Sequence, residues 1–423
     1  MKQIKILLSL LAICFAACGS DDTPEPKPPT PVDESERTVL IYLAAQNNLS
    51  AFADFDLKEM IRGSESLNDY QNLIVYVNIY GKKAPYFARI KDGKTIDSIS
   101  AGNTASSDPA SLEEAVRYMH EKYPAKSYGL VLWGHSNGWL IKNDSIKYAK
   151  TRSYGYDESS FPSTWMNIPS MARAIKNGMN DKKFTFIHGD CCIFGCIEVA
   201  YELRNVTDYV IGSPAEIPDA GANYADLSGL FDTSSSCYKS IIDKYWNLYI
   251  DEFKNYPSRY YLIKEGDLAG YSVPLMAVKT SELDNLAVAT AKLLKTIPDK
   301  LEPTGIINVN NVIFYAADKG LKYNYDMFKT LKENTSETDF NEWESAFEKA
   351  VPYYRLSPRW HVGRSSRQTF IQSMPSFDEI SEDCRVLSMF YPNNIYNTAS
   401  PSWNKAIQQL QWNSPINWQQ YGW

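Results

Sequence analysis

The chain has 423 residues, 44% apolar and 22% charged, so it can bury a core and is not an unfolded polymer. Its length sets an expectation of about two to three domains. With 43 Lys and Arg against 50 Asp and Glu, the net charge of −7 argues against the basic face of a phosphate-backbone binder, and no nucleic-acid partner is expected.

Residues 1–17 read as a signal peptide for secretion. Lys2 and Lys5 make a basic start, and residues 6–17 form an apolar stretch too short to span a bilayer as a helix. Phe15-Ala16-Ala17-Cys18 resembles a lipobox, in which the Cys receives a lipid. Lipidation of Cys18 implies a membrane contact and an outer-membrane, cell-envelope lipoprotein. Gly19-Ser20-Asp21-Asp22 resembles the surface-export signal of some Gram-negative lipoproteins. Residues 18–36 are rich in Pro and acid without apolar periodicity, and read as a lipid-anchored tether.

From residue 38 the pattern is α/β. Apolar, β-branched runs at 38–43, 72–77, 129–133, 184–187 and 209–211 predict strands, and 86–90 predicts an edge strand. Amphipathic stretches at 50–61, 111–122, 168–176 and 195–204 predict helices between them. Alternation of this kind predicts a mostly parallel central sheet flanked by helices, and uninterrupted apolar strands suit a sheet covered on both faces. Beyond residue 260 the pattern is mixed. A helix is expected at 281–297, another at 326–333, a strand at 386–391, and the tail is rich in Trp. The body is thus read as a catalytic domain at 37–260 and a C-terminal α/β region at 261–423 packed on it.

Of seven Cys, Cys14 falls in the signal and Cys18 takes the lipid. Cys191, Cys192, Cys196, Cys237 and Cys384 remain, an odd number that leaves at least one thiol unpaired. Three of them crowd together with neither the spread of a disulfide scaffold nor the partners of a zinc site. In parallel sheets, chemistry gathers beyond the carboxyl ends of the strands. Two such ends carry candidates here: Trp133-Gly134-His135-Ser136-Asn137-Gly138-Trp139 and His188-Gly189-Asp190-Cys191-Cys192-Ile193-Phe194-Gly195. In one sheet they bring His135 and Cys192 to the same edge. A thiol beside an imidazole forms a thiolate–imidazolium pair, and the thiolate is the nucleophile. The N-terminal end of the following helix adds a stabilising partial positive charge.

These blocks resemble the clostripain-type cysteine peptidases, which have a caspase-like fold. The family's first block reads Trp-x-His-Gly-Gly-Gly-Trp. Its second reads Asp-Ala-Cys-Leu-Met-Gly and leads into Glu-Val-Ala-Tyr-Glu-Leu, which matches Glu198-Val199-Ala200-Tyr201-Glu202-Leu203. Residues 38–48, with their Asn-Asn-Leu exit, and Ser388-Met389-Phe390-Tyr391-Pro392 resemble the family's first strand and a late one. The resemblance implies a cysteine endopeptidase acting on peptide or protein substrates, with Cys192 as nucleophile and His135 as base and acid. The backbone N–H groups of Ser136 and Cys192 are the implied oxyanion donors. No cofactor is expected and no metal is needed for this chemistry, while calcium, used by some relatives, is left open. The polar, basic loop 142–152 corresponds to where relatives cut themselves, although a plain solvated loop is the expected reading. Oligomeric state is not indicated.

The chain departs from the family pattern at three points. Ser136 and Asn137 replace two Gly of the first block. Cys191 and Cys196 crowd the nucleophile, and a disulfide among them would silence it. In the loop Ser213-Pro214-Ala215-Glu216-Ile217-Pro218-Asp219-Ala220-Gly221, the family's acidic specificity position falls on Ala220, next to Asp219. Asp219 and Asp190 are therefore the candidate substrate-binding residues. Two other readings compete. One is a surface lipoprotein that keeps the scaffold as a binding module without catalysis. The other takes Gly134-His135-Ser136-Asn137-Gly138 as a Gly-x-Ser-x-Gly nucleophile elbow, with Ser136 attacking and His361 in its triad.

Overall fold

The computed structural model describes residues 34–82, 84–102, 105–140, 153–158, 164–255, 273–310, 312–318, 321–356, 359–364, 369–373, 384–398 and 402–423. Cys18, the signal and nearly all of the tether lie outside these residues, as does the basic loop 142–152. Among the described residues no helix is long and apolar enough to cross a membrane.

Nine strands form the main sheet. In chain order they are β1 (Ser35–Ala45), β2 (Gln71–Ile79), β3 (Tyr86–Lys91), β4 (Lys94–Ser100), β5 (Ala125–Gly134), then, after the small hairpin β6 (Tyr154–Asp157) and β7 (Thr164–Met166), β8 (Phe184–Asp190), β9 (Thr207–Gly212) and β10 (Leu275–Lys279). The ninth, β13 (Tyr353–Arg355), follows a second antiparallel pair, β11 (Phe314–Asp318) and β12 (Leu321–Asp326). β14 (Arg359–Arg364) and β15 (Thr369–Ser373) pair with each other, and β16 (Ser388–Met389) pairs with β12. Five strands run parallel in the order β9-β8-β5-β1-β2. β10 and then β13 extend one edge, and β3 and then β4 the other, all antiparallel. The sheet therefore draws strands from both sides of the boundary expected near residue 260, and Ser35–Trp423 forms one compact unit.

The segment 86–90, expected at an edge, is internal. Asp92 and Gly93 both take positive φ, 52° and 70°, the two-residue turn that folds β4 back onto β3. β4 is exposed along its length and carries Lys94 and Asp97 among its residues, which suits the true edge.

Alternate residues of β1 feed two cores. Leu40, Tyr42 and Ala44 face one, and Val39, Ile41 and Leu43 the other. The first core is closed by α2 (Pro109–Lys122), α3 (Ile168–Gly178), α4 (Ile197–Leu203) and α6 (Leu283–Leu294), and the second by α1 (Ser50–Gly63) and α5 (Cys237–Asn255). Asp108 caps α2 by accepting from Ala110 N–H, with Pro109 in the first turn. The helix expected at 195–204 is confined to Ile197–Leu203, and that at 281–297 to Leu283–Leu294 after a 3₁₀ turn. α5 was not anticipated, although Tyr238, Ile241, Ile242, Tyr245 and Tyr249 keep helical spacing; tyrosines supply much of its apolar face. α7 (Pro298–Leu301) is one turn, α8 (Met327–Asn334) follows the expected pattern, and α9 (Glu337–Ala350) was also missed.

The segment expected as a strand at 386–391 narrows to β16, whose main task is to clamp the nucleophile block. Ser388 N–H donates to Gly195 O at 3.2 Å, and Phe390 N–H to Glu198 Oε1 at 2.8 Å. Trp139, the last residue of the His block, is fully buried, with its indole N–H on Asn324 Oδ1 at 2.9 Å and its ring against Phe390.

Candidate active site

The parallel strands end on one edge, and their order sets the site. Trp133 on β5 and Asp190 on β8 are register partners, so His135 and Cys192, each two residues further on, leave the edge side by side. Beyond β8, the exit of β9 is the loop 213–221; beyond β5, the exit of β1 carries Asn48. The edge thus runs from the acidic loop through Cys192 and His135 to Asn48. A cleft of about 510 Å³ opens along it, lined by residues from all four exits.

Asn48 Oδ1 lies 2.8 Å from His135 Nε2. A carboxamide oxygen only accepts, so the contact matches a ring protonated at Nε2, whose neutral form keeps a lone pair on Nδ1. In the sequence the Asn-Asn-Leu exit is only a family likeness. Its role depends on a contact 87 residues apart. The stacked rings of Tyr156 and Trp165 flank the imidazole, with centroids 6.1 and 6.5 Å from it.

Of the adjacent thiols, Cys191 is buried and Cys192 is partly exposed in the cleft. Burial, and secondarily the Glu216 carboxylate, push the Cys192 thiol up to about 12, opposed by the Ile217 N–H beside it. The donor near the sulfur thus comes from the β9 exit; α4 opens only at Ile197. All five cysteines among the described residues are free thiols, with no disulfide in the trio.

The turn after Cys192 is strained. Ile193, a β-branched residue, has φ +57°. Ile193 N–H donates to Ala215 O at 2.9 Å, and the Ile193 carbonyl abuts Gly138, where a Cβ would lie 2.4 Å from its oxygen. Gly138 itself has φ +62°, while Ser136 and Asn137 stay out of the left-handed region. The two replaced family glycines therefore bring no backbone strain. Ser136 is buried, its Oγ accepts from Gly138 N–H at 3.1 Å, and residues 137–140 form a turn without a helix. A nucleophile elbow needs an exposed hydroxyl and an immediate helix, and Ser136 has neither. His361 lies on β14, and its side chain is outside the described residues.

Asp190 lines the cleft floor but is nearly enclosed. Tyr224 OH and Ala222 N–H donate to Oδ2 at 2.6 and 3.0 Å, and Tyr245 OH to Oδ1 at 3.0 Å. Beneath it is a second carboxyl that sequence reading missed, Asp56 of α1. Its Oδ2 accepts from Trp133 Nε1 at 2.7 Å and its Oδ1 is buried without a partner. Burial, then the neighbouring Asp190 charge, raise Asp56 to about 9, so it stays protonated at neutral pH. An Asp on the buried stripe of α1, with Ala53 and Met60, was the available signal. Asp219 and Glu216 line the cleft from the β9 loop. No group of three or more His, Cys, Asp or Glu among the described residues is arranged to hold a metal ion.

The arrangement offers a partly exposed thiol, an oriented imidazole and an acidic wall. Residues 41–423 match the model of the clostripain family. A secreted C11 cysteine protease from Bacteroides thetaiotaomicron, solved with an irreversible peptide inhibitor, is 29% identical with a TM-score of 0.72, over 91% of this chain and 99% of that one. An inactive zymogen C11 protease from Parabacteroides distasonis is 26% identical with a TM-score of 0.70, over 90% of this chain and 98% of that one. A further secreted C11 cysteine protease from Bacteroides thetaiotaomicron shares the fold at 18% identity, with a TM-score of 0.65 over 90% of this chain and 99% of that one. No curated protein matches.

Proposed function

This chain belongs to the clostripain family of cysteine-type endopeptidases, and on that premise we propose that Cys192 is its nucleophile and His135 its general base and acid. The observation that carries this reading is the shared strand edge, with Cys192 open to the cleft beside an imidazole anchored by Asn48. His135 Nδ1 takes the thiol proton as the sulfur attacks the scissile carbonyl. The tetrahedral oxyanion is held by the N–H groups of Ser136 and Cys192. The imidazolium then protonates the departing amine. Water, activated by the same imidazole, hydrolyses the thioester and restores the thiol.

The cleft walls carry Glu158, Asp190, Glu216 and Asp219, and no Lys or Arg is among the described residues that line them. A cationic side chain before the scissile bond suits such a site. It would also offset the Glu216 charge that disfavours the thiolate. The N-terminal reading completes the proposal: lipid on Cys18 anchors the enzyme in the cell envelope, with the tether 18–36 leading into the single compact body.

Acyloxymethyl-ketone probes with Arg, Lys, Ala, Leu or Asp at P1 test this reading. The expected result is an adduct mapped to Cys192, lost in His135→Ala, with the basic probes fastest. An adduct at Cys191, or none on folded protein with free thiols, overturns it, the latter in favour of a binding module. Metabolic labelling with a fatty-acid analogue, lost in Cys18→Ala, tests the anchor.

A further inference from the structure

The acidic wall accounts for one side of the nucleophile. The other side of the cleft carries one carboxylate, Glu158, together with two large rings. There Tyr156 and Trp165, both half-buried, stack at 4.7 Å with 23° between their planes and line the cleft beside His135. We propose that this ring pair is the subsite for the residue just after the scissile bond, and that it takes an aromatic or large aliphatic side chain. The inference rests on the peptidase reading of Cys192 and His135.

The direction of the substrate follows from the proton chemistry. His135 must pass its proton to the departing amine, so the peptide beyond the scissile bond runs past the imidazole. Along the sheet edge, Cys192 lies between the β9 loop and His135. The acyl half therefore lies toward Glu216 and Asp219, and the leaving half lies toward β5 and β1. On that side the described lining is Asn48, Leu49, Glu158 and the ring pair, and the rings are its largest apolar surface.

The pair is also held where a subsite must be. The β6–β7 hairpin that carries it is stitched to the exits of the two strands flanking the leaving half. Gly155 N–H donates to His135 O at 2.9 Å and Asn137 N–H to Ser153 O at 2.8 Å. On the β1 side, Asn47 Nδ2 donates to Tyr156 O at 2.7 Å and Glu158 N–H to Gln46 O at 2.8 Å. These bonds tie the main chain of the hairpin to the main chain that carries His135 and to the exit of β1. Flat stacked rings on the cleft wall offer an apolar face to one more ring or branched chain.

Internally quenched peptides test this, all with the P1 residue chosen by the probe panel and differing only in Phe, Leu, Gly or Asp at P1′. The readout is the ratio of kcat/KM for Phe over Gly within each variant, so a general loss of folding or activity cancels. Wild type should favour Phe and Leu over Gly by about tenfold, an aromatic contact's worth of transition-state binding. The ratio should fall to about one to two in Trp165→Ala and be largely kept in Trp165→Phe. A ring pair that merely props His135 would slow all four peptides equally and leave the ratio intact. An intact ratio, or no P1′ preference in wild type, overturns the proposal. The methyl ester of the same acyl half separates the two readings. Ester hydrolysis without P1′ discrimination removes only the subsite, whereas failure on ester and peptides alike removes the peptidase reading and the subsite with it.

Discussion

Asn48 and His135 leave neighbouring strands, β1 and β5, and meet with 2.8 Å between Oδ1 and Nε2. The contact turns a two-residue arrangement into one of three, in which Asn48 touches no reacting atom and acts by orienting the imidazole. Asn48→Ala should lower kcat about ten- to a hundredfold, the worth of a hydrogen bond to a ring that becomes charged, with KM little changed. Asn48→Asp keeps the acceptor and should recover part of the loss, with the acidic limb of the pH–rate profile displaced upward because the carboxylate favours imidazolium. Steady-state kinetics across pH distinguishes this from a folding defect, which would lower the active fraction without moving the profile.

Glu216 disfavours ionisation of Cys192. Glu216→Gln should therefore move the midpoint of the iodoacetamide alkylation profile to lower pH by about one unit and speed labelling at neutral pH up to about tenfold. Peptides with a cationic P1 should lose affinity at the same time, since one carboxylate of the wall is gone. An unchanged alkylation profile would place the Glu216 charge too far from the sulfur to matter.

Asp56 predicts a pH dependence of stability. Its folded value, about 9, lies above the ordinary 3.8. Between those values the folded chain keeps a proton that the unfolded chain has released. Asp56 thus contributes stability that is full below about pH 4 and lost as pH rises toward 9, at up to about 1.4 kcal/mol per pH unit. Asp56→Asn resembles the protonated acid and should remove this slope. Urea midpoints at pH 6, 7 and 8 should diverge in favour of the variant; parallel curves would show that Asp56 is ionised in the fold.

Gly138 joins the two catalytic turns. Gly138→Ala forces a side chain onto φ +62° and into the Ile193 carbonyl. A loss of about 1–3 kcal/mol is expected, read as a lower thermal midpoint. Because Ile193 follows the nucleophile, probe labelling of Cys192 should fall even at temperatures where the variant stays folded. Equal labelling at such temperatures would mean that the turn adapts without cost.

Much of this was readable from local pattern. β1, β2, β5, β8 and β9 are short apolar runs closed by polar turns, so their identity follows from the residues within each. The blocks around His135 and Cys192 were readable for the same reason, since each lies a fixed two residues past its strand. α5 escaped because Tyr238, Tyr245 and Tyr249 make up much of its buried face, and α9 because Phe340, Trp343 and Phe347 are set among charges. The Asp92-Gly93 turn was legible but unread, and with it the true edge of the sheet.

The rest depended on residues meeting across the fold. Whether Cys191 or Cys192 opens to the cleft is a matter of one residue's twist, set by the strained turn at Ile193 and its bond to Ala215. Asn48 reaches His135 across 87 positions, Asp56 reaches Trp133 across 77, and Trp139 finds Asn324 across 185. Side-chain period within a strand or helix is a local property, written in neighbouring residues. Strand order and register are set by packing among distant segments, and they decide which polar groups share one cleft.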